Sequence, residues 1–437
     1  MPGEEGFYNL LLHGAAGSPL LQMESSLFIS KLLRCFRRRD SSMEMPHLFL
    51  AFLLFNVFLF SDVMTVQAFT GTYGINYGRI ADNIPDPESV VTLLKAAKIK
   101  NVRIYDADHS VLEAFKGSGL ELTVGIPNGL LKDMSVNENR AMEWIKENVQ
   151  AFMPKTHIRA IAVGNEVLGG QDLELQEALL GALKNVYSAL EELKLNDDIE
   201  INSPHSQAVF ASSFPPSAGT FKEDLMLYMK PILQFFSQIG SPFYINAYPF
   251  LAYKSDAEHI DLNYALFQSN PGIHDAKTNL HYDNMFDASI DAAYAALEVA
   301  GFAKMEVRVS ETGWASKGDE DEVGATTQNA RTYNYNLKKR LAKKKGTPRR
   351  PKTAVKAYVF ALFNENQKPG PTSERNFGLF KADGSIAYDI GFTGLRHSSS
   401  ASSTLLSLKG VRERGGFMPY FMVLTSCATV LLLAFVS

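Results

Sequence analysis

The sequence predicts an α/β fold in which a single domain forms a (β/α)8 TIM barrel. From Thr72 to Phe392, short runs of β-branched or aromatic residues alternate with longer helical patterns, as repeated βα units around a parallel sheet do. About eight such runs are recognisable, and eight strands close a barrel of this type. The chain has 437 residues, which one barrel of roughly 250 to 300 residues and two processed ends would explain.

The elements follow one another in the order that a barrel requires. We predict strands at Tyr73–Tyr77, Asn101–Tyr105, Glu121–Ile126, Ile158–Val163, Ile199–Ser203, Pro242–Tyr248, Glu306–Ser310 and Val355–Leu362. Amphipathic helices are predicted between them at Glu88–Ala97, Asn137–Phe152, Leu173–Leu193, Phe221–Ile239, Asp287–Ala300 and Thr326–Lys343. Long connections, 203–221 and 250–287, flank the sixth strand, and we expect them to form walls of a groove.

Composition and charge limit the classes of partner. The chain is 46% hydrophobic and 21% charged, with a formal net charge of -4, so it offers no field suited to a polyphosphate and no nucleic-acid partner is expected. The basic run from Lys338 to Arg350 is interpreted as a solvated helix C-terminus. The acidic run Asp319–Glu322 is interpreted as a solvated loop.

The N-terminal segment has the order of a secretory signal. An uncharged apolar run at 48–60 follows the basic stretch Arg34–Arg39 and precedes Val66-Gln67-Ala68, a small-x-small cleavage pattern. Residues 1–68 are therefore expected to be an N-terminal extension and signal peptide that is removed. A signal anchor is the alternative, although the run is shorter than the roughly 18 residues of a spanning helix.

The C-terminal segment has the order of a glycosylphosphatidylinositol (GPI) attachment signal. Small residues at Ser398–Ser403 lie in an attachment region and polar spacer, 398–416, which leads into a hydrophobic tail, 417–437. Attachment is expected within Ser398–Ser403, and a plain membrane helix is the alternative. The mature domain would then span 69–397 and be held at the extracellular face of the plasma membrane.

Cysteine usage agrees with that processing. The two cysteines, Cys35 and Cys427, both fall in segments that would be removed. The mature domain would contain no disulfide and would depend on its core, which a barrel of this size supplies. A monomer is expected.

Two glutamates lie at predicted strand ends, where barrels of this type build their active sites. Glu166 follows the fourth strand in Val163-Gly-Asn-Glu166, and Glu311 follows the seventh in Ser310-Glu-Thr-Gly-Trp314. Glycosidic cleavage needs one carboxylic acid to protonate the leaving oxygen and a second carboxylate near the anomeric carbon. Asn165 is placed to hold a sugar 2-hydroxyl. The alternative for each glutamate is a surface or salt-bridged carboxylate.

Six motifs in chain order carry a family resemblance: Gly74-Ile-Asn-Tyr-Gly78, Val102-Arg-Ile-Tyr105, Val163-Gly-Asn-Glu-Val167, Ile245-Asn-Ala-Tyr-Pro-Phe250, Val309-Ser-Glu-Thr-Gly-Trp314 and Phe363-Asn-Glu-Asn-Gln-Lys-Pro-Gly370. Over residues 72–392 the chain resembles plant-type glucan endo-1,3-β-glucosidases of glycoside hydrolase family 17, in their GPI-anchored form. One departure is Ala315, where proline often follows Gly-Trp, and it is expected to change loop rigidity more than chemistry.

The resemblance implies a retaining endo-hydrolase of β-1,3-glucan, a callose-like polymer. Glu166 would be the proton donor and Glu311 the nucleophile, while Glu365, Lys368 and Glu374 would be accessory charges that orient the pair and tune its pKa values. A solvated loop network is the alternative for these three.

Aromatic and amide side chains near the strand ends are candidates for sugar binding. Flat rings stack on sugars, and tyrosine hydroxyls and amides hydrogen-bond them. The candidates are Tyr77, Tyr105, Asn165, Asn246, Tyr248, Trp314 and Phe377. Ordinary barrel or loop packing is the alternative for each aromatic ring.

No metal or nucleotide cofactor is expected, because the sequence contains no HExxH, CxxC or glycine-rich phosphate loop. Two other functions remain open. A transglycosylase would use the same two carboxylates, and a surface glucan-binding protein would retain only vestigial activity.

Overall fold

A computed structural model gives the structure of residues 69–395. The strands are β1 (Tyr73–Asn76), β2 (Asn101–Arg103), β3 (Glu121–Ile126), β4 (His157–Val163), β5 (Glu200–Asn202), β6 (Pro204–His205), β7 (Phe210–Ser212), β8 (Thr220–Phe221), β9 (Phe243–Asn246), β10 (Ile273–Asp275), β11 (Leu280–Tyr282), β12 (Val307–Thr312) and β13 (Ala357–Val359). The helices are α1 (Pro87–Ala96), α2 (His109–Ala114), α3 (Leu131–Val136), α4 (Glu138–Ile145), α5 (Leu173–Glu192), α6 (Met226–Ile239), α7 (Pro249–Ser255), α8 (Leu262–Ala265), α9 (Met285–Val299) and α10 (Thr327–Ala342).

The main sheet is parallel and curls into a barrel. Nine segments are hydrogen-bonded in the order β5-β4-β3-β2-β1-β13-β12-β9-β6. The two ends of this order, β5 and β6, are consecutive in the chain and separated only by Ser203. They are halves of one interrupted strand: β5 pairs with β4, and β6 pairs with β9. The sheet therefore closes on itself as eight strands, which confirms the predicted fold class.

Every predicted strand is present; the third has the predicted bounds, and the others differ at one or both ends. The last strand was predicted at Val355–Leu362 but is limited to Ala357–Val359. Beyond Val359 the backbone amides bond in turn to the two neighbouring strands. The Phe360 amide donates to the Thr312 carbonyl in β12, and the Leu362 amide donates to the Asn76 carbonyl in β1. The seventh strand is longer than predicted and contains Glu311 within it.

The predicted helix at Phe221–Ile239 begins later than expected. Phe221 belongs instead to the hairpin β7–β8, where it pairs with Phe210, so α6 starts at Met226. The helix ends where Gly240 takes a left-handed conformation, φ 74°, which costs glycine little. The predicted helix at 137–152 is divided into α4 and a π-helical turn, Lys146–Gln150.

The two long connections contain structure of their own. The connection after β6 carries the hairpin β7–β8, and the connection after β9 carries α7, α8 and the hairpin β10–β11. Residues of both connections, such as Phe214 and His259, line the large cleft described below. This confirms that they form walls of a groove.

The end of the barrel opposite the cleft is closed by a buried ion pair and aromatic rings. Arg308 lies 2.8 Å from Glu200 and 2.9 Å from Glu306. The Tyr244 hydroxyl donates to Glu200 at 3.1 Å, and the Phe69 ring packs edge-on against Tyr358 with centroids 4.8 Å apart. These contacts fill the barrel below the site, so access is from the carboxyl ends of the strands.

The basic run at the end of α10 is partly solvated, as expected. Lys343, Lys344 and Lys345 are exposed, whereas Arg340 lies 2.9 Å from Asp287 and Arg349 bonds to Glu298. The two arginines therefore fasten this segment to α9.

The predictions for the chain ends lie outside the described residues. These are the removed segment 1–68, both cysteines, attachment within Ser398–Ser403, and the tail 417–437. Within residues 69–395, no helix is long and apolar enough to cross a membrane.

Candidate active site

The two predicted catalytic glutamates open into one large cleft at the carboxyl ends of the barrel strands. Glu311 lies in β12, and Glu166 lies three residues beyond the end of β4. Both line a cleft of about 1610 Å³, which exceeds the roughly 300–1,000 Å³ of ordinary small-molecule pockets. The fold thus brings together two residues that are far apart in the chain, as the sequence predicted.

Three donors hold the Glu311 carboxylate. The Arg103 guanidinium and the Tyr105 hydroxyl both donate to Oε1 at 2.8 Å, and the Tyr248 hydroxyl donates to Oε2 at 2.9 Å. The residue is only 7% exposed. All three contacts require the carboxylate to accept, and together they fix the position of both oxygens.

Glu166 is held differently, through its backbone and a single amide. Its φ is 51°, in the left-handed region that residues other than glycine rarely adopt. The Glu166 amide donates to the Pro204 carbonyl at 2.9 Å, which ties this conformation to the interrupted fifth strand. Asn246 Nδ2 donates to Glu166 Oε1 at 2.7 Å. The backbone therefore aims the carboxyl into the cleft.

The two carboxyl groups have different electrostatic surroundings. Burial between the cleft walls, and then the nearby charge of Glu311, raise the pKa of Glu166, against the opposing effects of Asn246, Arg103 and Lys368. A raised pKa favours the protonated acid. Two titratable groups placed in contrasting environments within one site suit one acid and one nucleophile.

A polar network joins the two glutamates. Arg103 Nη2 donates to Asn165 Oδ1 at 2.6 Å while its Nη1 holds Glu311. On the other side, the Ser310 hydroxyl donates to Asn246 Oδ1 at 2.6 Å, and Asn246 holds Glu166. The two predicted amides, Asn165 and Asn246, are thus built into the site.

Arg103 is a site residue that the sequence reasoning missed. Its signal was a charged residue at the end of the short strand β2, within the motif Val102-Arg-Ile-Tyr105. The side chain is buried, and its guanidinium lies over the Tyr105 ring, 4.6 Å from the centroid. A buried arginine in a strand needs a carboxylate partner, and the structure identifies that partner as Glu311.

The predicted accessory charges all reach the cleft. Glu365 is 3% exposed, accepts from the Ile80 amide at 2.9 Å, and has its pKa raised by burial. Lys368 Nζ lies 3.0 Å from Glu374 Oε2 and 4.3 Å from the centroid of the Phe360 ring. Gly78 allows this packing, because a Cβ there would lie 2.5 Å from both Glu365 oxygens.

Four of the predicted aromatic residues line the cleft: Tyr77, Tyr105, Tyr248 and Phe377. The hydroxyls of Tyr105 and Tyr248 are already bonded to Glu311. Phe377 is largely covered by its neighbours, with its ring centroid 5.8 Å from that of Tyr248 and 5.4 Å from that of Phe360. The rings therefore shape the site around the nucleophile as much as they offer surface to a sugar.

The prediction that Trp314 contacts sugar is wrong. Its side chain is 0% exposed and is absent from the cleft lining. The ring packs between Phe250 and Tyr333, with centroids 5.3 and 5.5 Å away, and its Nε1 donates to the Gly324 carbonyl at 2.8 Å. Trp314 is a packing residue that supports the loop after β12.

The interpretation of the acidic run as a solvated loop is wrong for Glu322. Glu320 and Asp321 are exposed, but Glu322 is 5% exposed and accepts hydrogen bonds from the Asp319 amide in its own loop and from the Ser373 amide in a neighbouring loop. No group of three or more His, Cys, Asp or Glu residues within 69–395 is arranged to hold a metal ion. The expectation that no cofactor is needed stays a prediction.

The chain is similar to a known family and to proteins of known structure. The family model "Glycosyl hydrolases family 17" matches residues 73–392. Glucan endo-1,3-beta-glucosidases 14 and 11 of Arabidopsis thaliana are 48% and 49% identical over 321 and 339 residues, which are 74% and 77% of this chain and 82% and 79% of theirs. Among solved structures, CJP38, a beta-1,3-glucanase and allergen of Cryptomeria japonica pollen, matches with a TM-score of 0.71 at 40% identity, covering 74% of this chain and 99% of its own.

A plant beta-glucan endohydrolase, one of two solved with distinct substrate specificities, matches with a TM-score of 0.66 at 37% identity, covering 71% of this chain and 97% of its own. The family model covers most of the chain, and the named relatives exceed 30% identity over most of their own length. This chain belongs to glycosyl hydrolases family 17.

Proposed function

We propose that this chain is a retaining endo-hydrolase that cuts internal β-1,3-glucosidic linkages in β-1,3-glucan. One observation carries the proposal: a single cleft holds Glu311 fixed by three donors and, beside it, Glu166 with a raised pKa. Double displacement at an anomeric carbon needs a fixed nucleophile and a protonated acid in one site. The names of its relatives supply the linkage and the polymer.

In the first step, Glu311 attacks the anomeric carbon while Glu166 gives its proton to the glycosidic oxygen. The bond between the anomeric carbon and that oxygen breaks, the leaving chain departs with a new hydroxyl, and a glycosyl ester forms on Glu311. Arg103, Tyr105 and Tyr248 hold both oxygens of the nucleophile in place before attack, which lowers the entropic cost of reaching the transition state.

In the second step, Glu166, now a carboxylate, takes a proton from water, and the resulting hydroxide attacks the anomeric carbon. The ester to Glu311 breaks, and the product keeps the β configuration. Loss of the ester returns Glu311 to the anion that its three donors hold. No step requires a cofactor.

Other cleft residues bind the polymer or tune the pair. Asn165 and Asn246 are positioned to contact a sugar hydroxyl near the reacting ring, and Tyr77 and Phe377 offer apolar surface. Lys368 lowers the pKa of Glu166, so together with Glu365 and Glu374 it sets the pH range of the acid. The volume of the cleft suits a segment of chain better than a single sugar.

Product analysis tests the proposal. Purified protein acting on linear β-1,3-glucan is expected to release short oligomers that are first seen by NMR as β anomers. Glu311→Ala and Glu166→Gln should lose nearly all activity, whereas Glu320→Gln, an exposed carboxylate outside the cleft lining, should match wild type. Lengthened oligomers would identify a transglycosylase. Binding without turnover would identify a glucan-binding protein.

Azide separates the roles of the two glutamates. With an activated aryl glycoside of β-1,3-linked glucose, Glu166→Ala should be rescued by azide and yield a β-glycosyl azide, because the ester on Glu311 still forms. Glu311→Ala should yield an α-glycosyl azide by direct attack. The opposite assignment of products would exchange the two roles.

We further propose that the mature chain is held at the extracellular face of the plasma membrane, or in the wall, by a GPI anchor attached within Ser398–Ser403. The sequence order of small residues, spacer and apolar tail supports this proposal, as does an apolar run at 48–60 that suits a signal peptide.

Release by phospholipase C tests the anchor. A phosphatidylinositol-specific enzyme should move the protein from membranes to the soluble fraction, and a variant that ends at residue 397 should be secreted into the medium. Protein that stays in the membrane fraction after treatment would indicate a plain membrane helix. We also propose a monomer, and light scattering after gel filtration checks the mass.

A further inference from the structure

Glu322 is buried in the middle of an exposed acidic run. Its neighbours Glu320 and Asp321 face solvent, whereas its own side chain accepts four hydrogen bonds. The donors are the amides of Asp319 at 3.0 Å and Ser373 at 2.9 Å, the Ser373 hydroxyl, and Lys254 Nζ at 3.1 Å. The mechanism above does not use this carboxylate.

These contacts join three segments of the catalytic face. Glu322 lies in the loop after β12, the strand that carries the nucleophile. Ser373 lies in the turn 371–376 after β13, and Lys254 lies in α7 after β9. Asp319, from the same acidic run, accepts from the Thr372 amide at 2.9 Å. The acidic run thus holds the turn at two successive residues.

The turn 371–376 supports charged side chains that line the cleft. Glu374 directly follows Ser373, and its carboxylate pairs with Lys368 at 3.0 Å. Lys368 lies over the Phe360 ring, and its charge acts on Glu166. Glu322 is therefore linked to the catalytic acid through the Ser373–Glu374 backbone, the ion pair between Glu374 and Lys368, and the charge of Lys368.

We propose that Glu322 is a positioning residue, which fixes the turn 371–376 so that Glu374 and Lys368 keep their places in the cleft that holds the catalytic acid. The proposal rests on the proposed function of Glu166 and Glu311. Glu322 itself touches neither substrate nor reacting atoms, since it is absent from the cleft lining.

The charge of Glu322 is permanent over the working pH range. Burial opposes ionisation, but the hydrogen bonds from Ser373, Asp319 and Lys254 outweigh it and lower the pKa of Glu322 to about 2. Glutamine has the same shape but cannot reproduce the contacts. If the glutamine NH2 takes the place of Oε2, this donor faces two backbone amide donors. If the NH2 takes the place of Oε1, it faces the Lys254 ammonium, which is also a donor.

The test compares Glu322→Gln with Glu320→Gln in the full chain. We expect Glu322→Gln to lower kcat/KM on β-1,3-glucan oligomers by about tenfold or more, since small displacements of catalytic groups cost up to roughly 100-fold. Glu166 accepts a hydrogen bond from Asn246, and three charged groups act on its pKa: Glu311, Arg103 and Lys368. Displacing Lys368 removes a cation that lowers the pKa of Glu166, so the basic limb of the kcat/KM profile should move to higher pH. Glu320→Gln should change neither.

A merely structural role would lower the melting temperature of Glu322→Gln and leave the basic limb and kcat/KM at the Glu320→Gln values. That result would overturn the proposal. If Glu322→Gln does not fold, Ser373→Ala serves as the test variant, because it removes one hydroxyl contact to Glu322. The basic limb should then move in the same direction by a smaller amount.

Hydrogen exchange separates this proposal from the proposed function. The amides of 371–376 should exchange faster in Glu322→Gln than in Glu320→Gln, whether or not the protein is active on this polymer. Inactive wild type with that difference would overturn the assigned activity alone, whereas equal exchange would overturn the anchoring of the turn.

Discussion

Replacing Arg103 by lysine tests whether the two catalytic glutamates depend on one buried cation. The guanidinium donates at once to Glu311 Oε1 at 2.8 Å and to Asn165 Oδ1 at 2.6 Å. A lysine ammonium is a point donor and cannot reproduce a planar fork that spans two acceptors. Arg103→Lys keeps the charge in the barrel and loses at least one of these contacts.

The expected loss follows from the energy of one such hydrogen bond. A hydrogen bond to a charged group contributes roughly 1.5–3 kcal/mol, and about 1.36 kcal/mol corresponds to a tenfold change in rate. If the contact holds the nucleophile in the transition state, kcat/KM should fall by roughly 10- to 100-fold. Stability should fall as well, because the side chain is buried.

Arg308→Lys is the matched control, because Arg308 is also buried in the barrel and also pairs with a carboxylate, Glu200, at 2.8 Å. It lies at the closed end, so it should lower the melting temperature without lowering kcat of the folded enzyme. The assay is initial rates on β-1,3-glucan oligomers with calorimetry of each variant. If Arg103→Lys and Arg308→Lys lose similar stability and both keep wild-type kcat/KM, Arg103 serves only the fold.

Three further substitutions probe single contacts. Tyr248→Phe removes the 2.9 Å bond to Glu311 Oε2 and should lower kcat about tenfold or more with little change in melting temperature; an unchanged kcat would refute a role in holding the nucleophile. Gly78→Ala places a Cβ 2.5 Å from both Glu365 oxygens and should lower kcat/KM several-fold, which rate measurements beside Glu365→Gln would check. Asp291→Asn concerns stability. Burial raises the pKa of Asp291 from 3.8 to about 6, so the contribution of Asp291 to the free energy of unfolding is present below about pH 4 and is lost as the pH rises through 6. The variant should gain up to about 3 kcal/mol over wild type between those pH values, and a pH-independent difference in urea unfolding would contradict this.

Much of the fold could be predicted from the sequence because barrel strands and helices have local patterns. Each predicted strand is a buried β-branched or aromatic run, and these runs were found within a few residues. The ends were harder. Phe221 reads as the start of a helix, but its cross-strand pairing with Phe210 is a contact between segments of an irregular loop, which no periodicity reveals.

The site was predictable where its residues lie at strand ends. Glu166 and Glu311 share a cleft because topology alone gathers the carboxyl ends of parallel strands. Trp314 failed because a motif position does not state which way a side chain points, and this ring points into the protein. Glu322 was misread for a similar reason: four acids in succession suggest solvent, and only the partners on distant loops show that one of them is buried.

A perturbed carboxyl group does not by itself mark the catalytic centre of this barrel. Burial raises the pKa of Glu200 and of Asp291 as it does that of Glu166, so pKa shifts alone would nominate all three. Glu200 is covered by Tyr244 at the closed end, and neither it nor Asp291 lines the cleft. Glu311 and Glu200 each pair with a buried arginine, yet only Glu311 presents its oxygens where a polymer can reach them. The pair of Glu311 with Arg103 thus differs from the pair of Glu200 with Arg308 in whether a polymer can reach it. The aromatic rings that close one end of the barrel decide which pair is reachable.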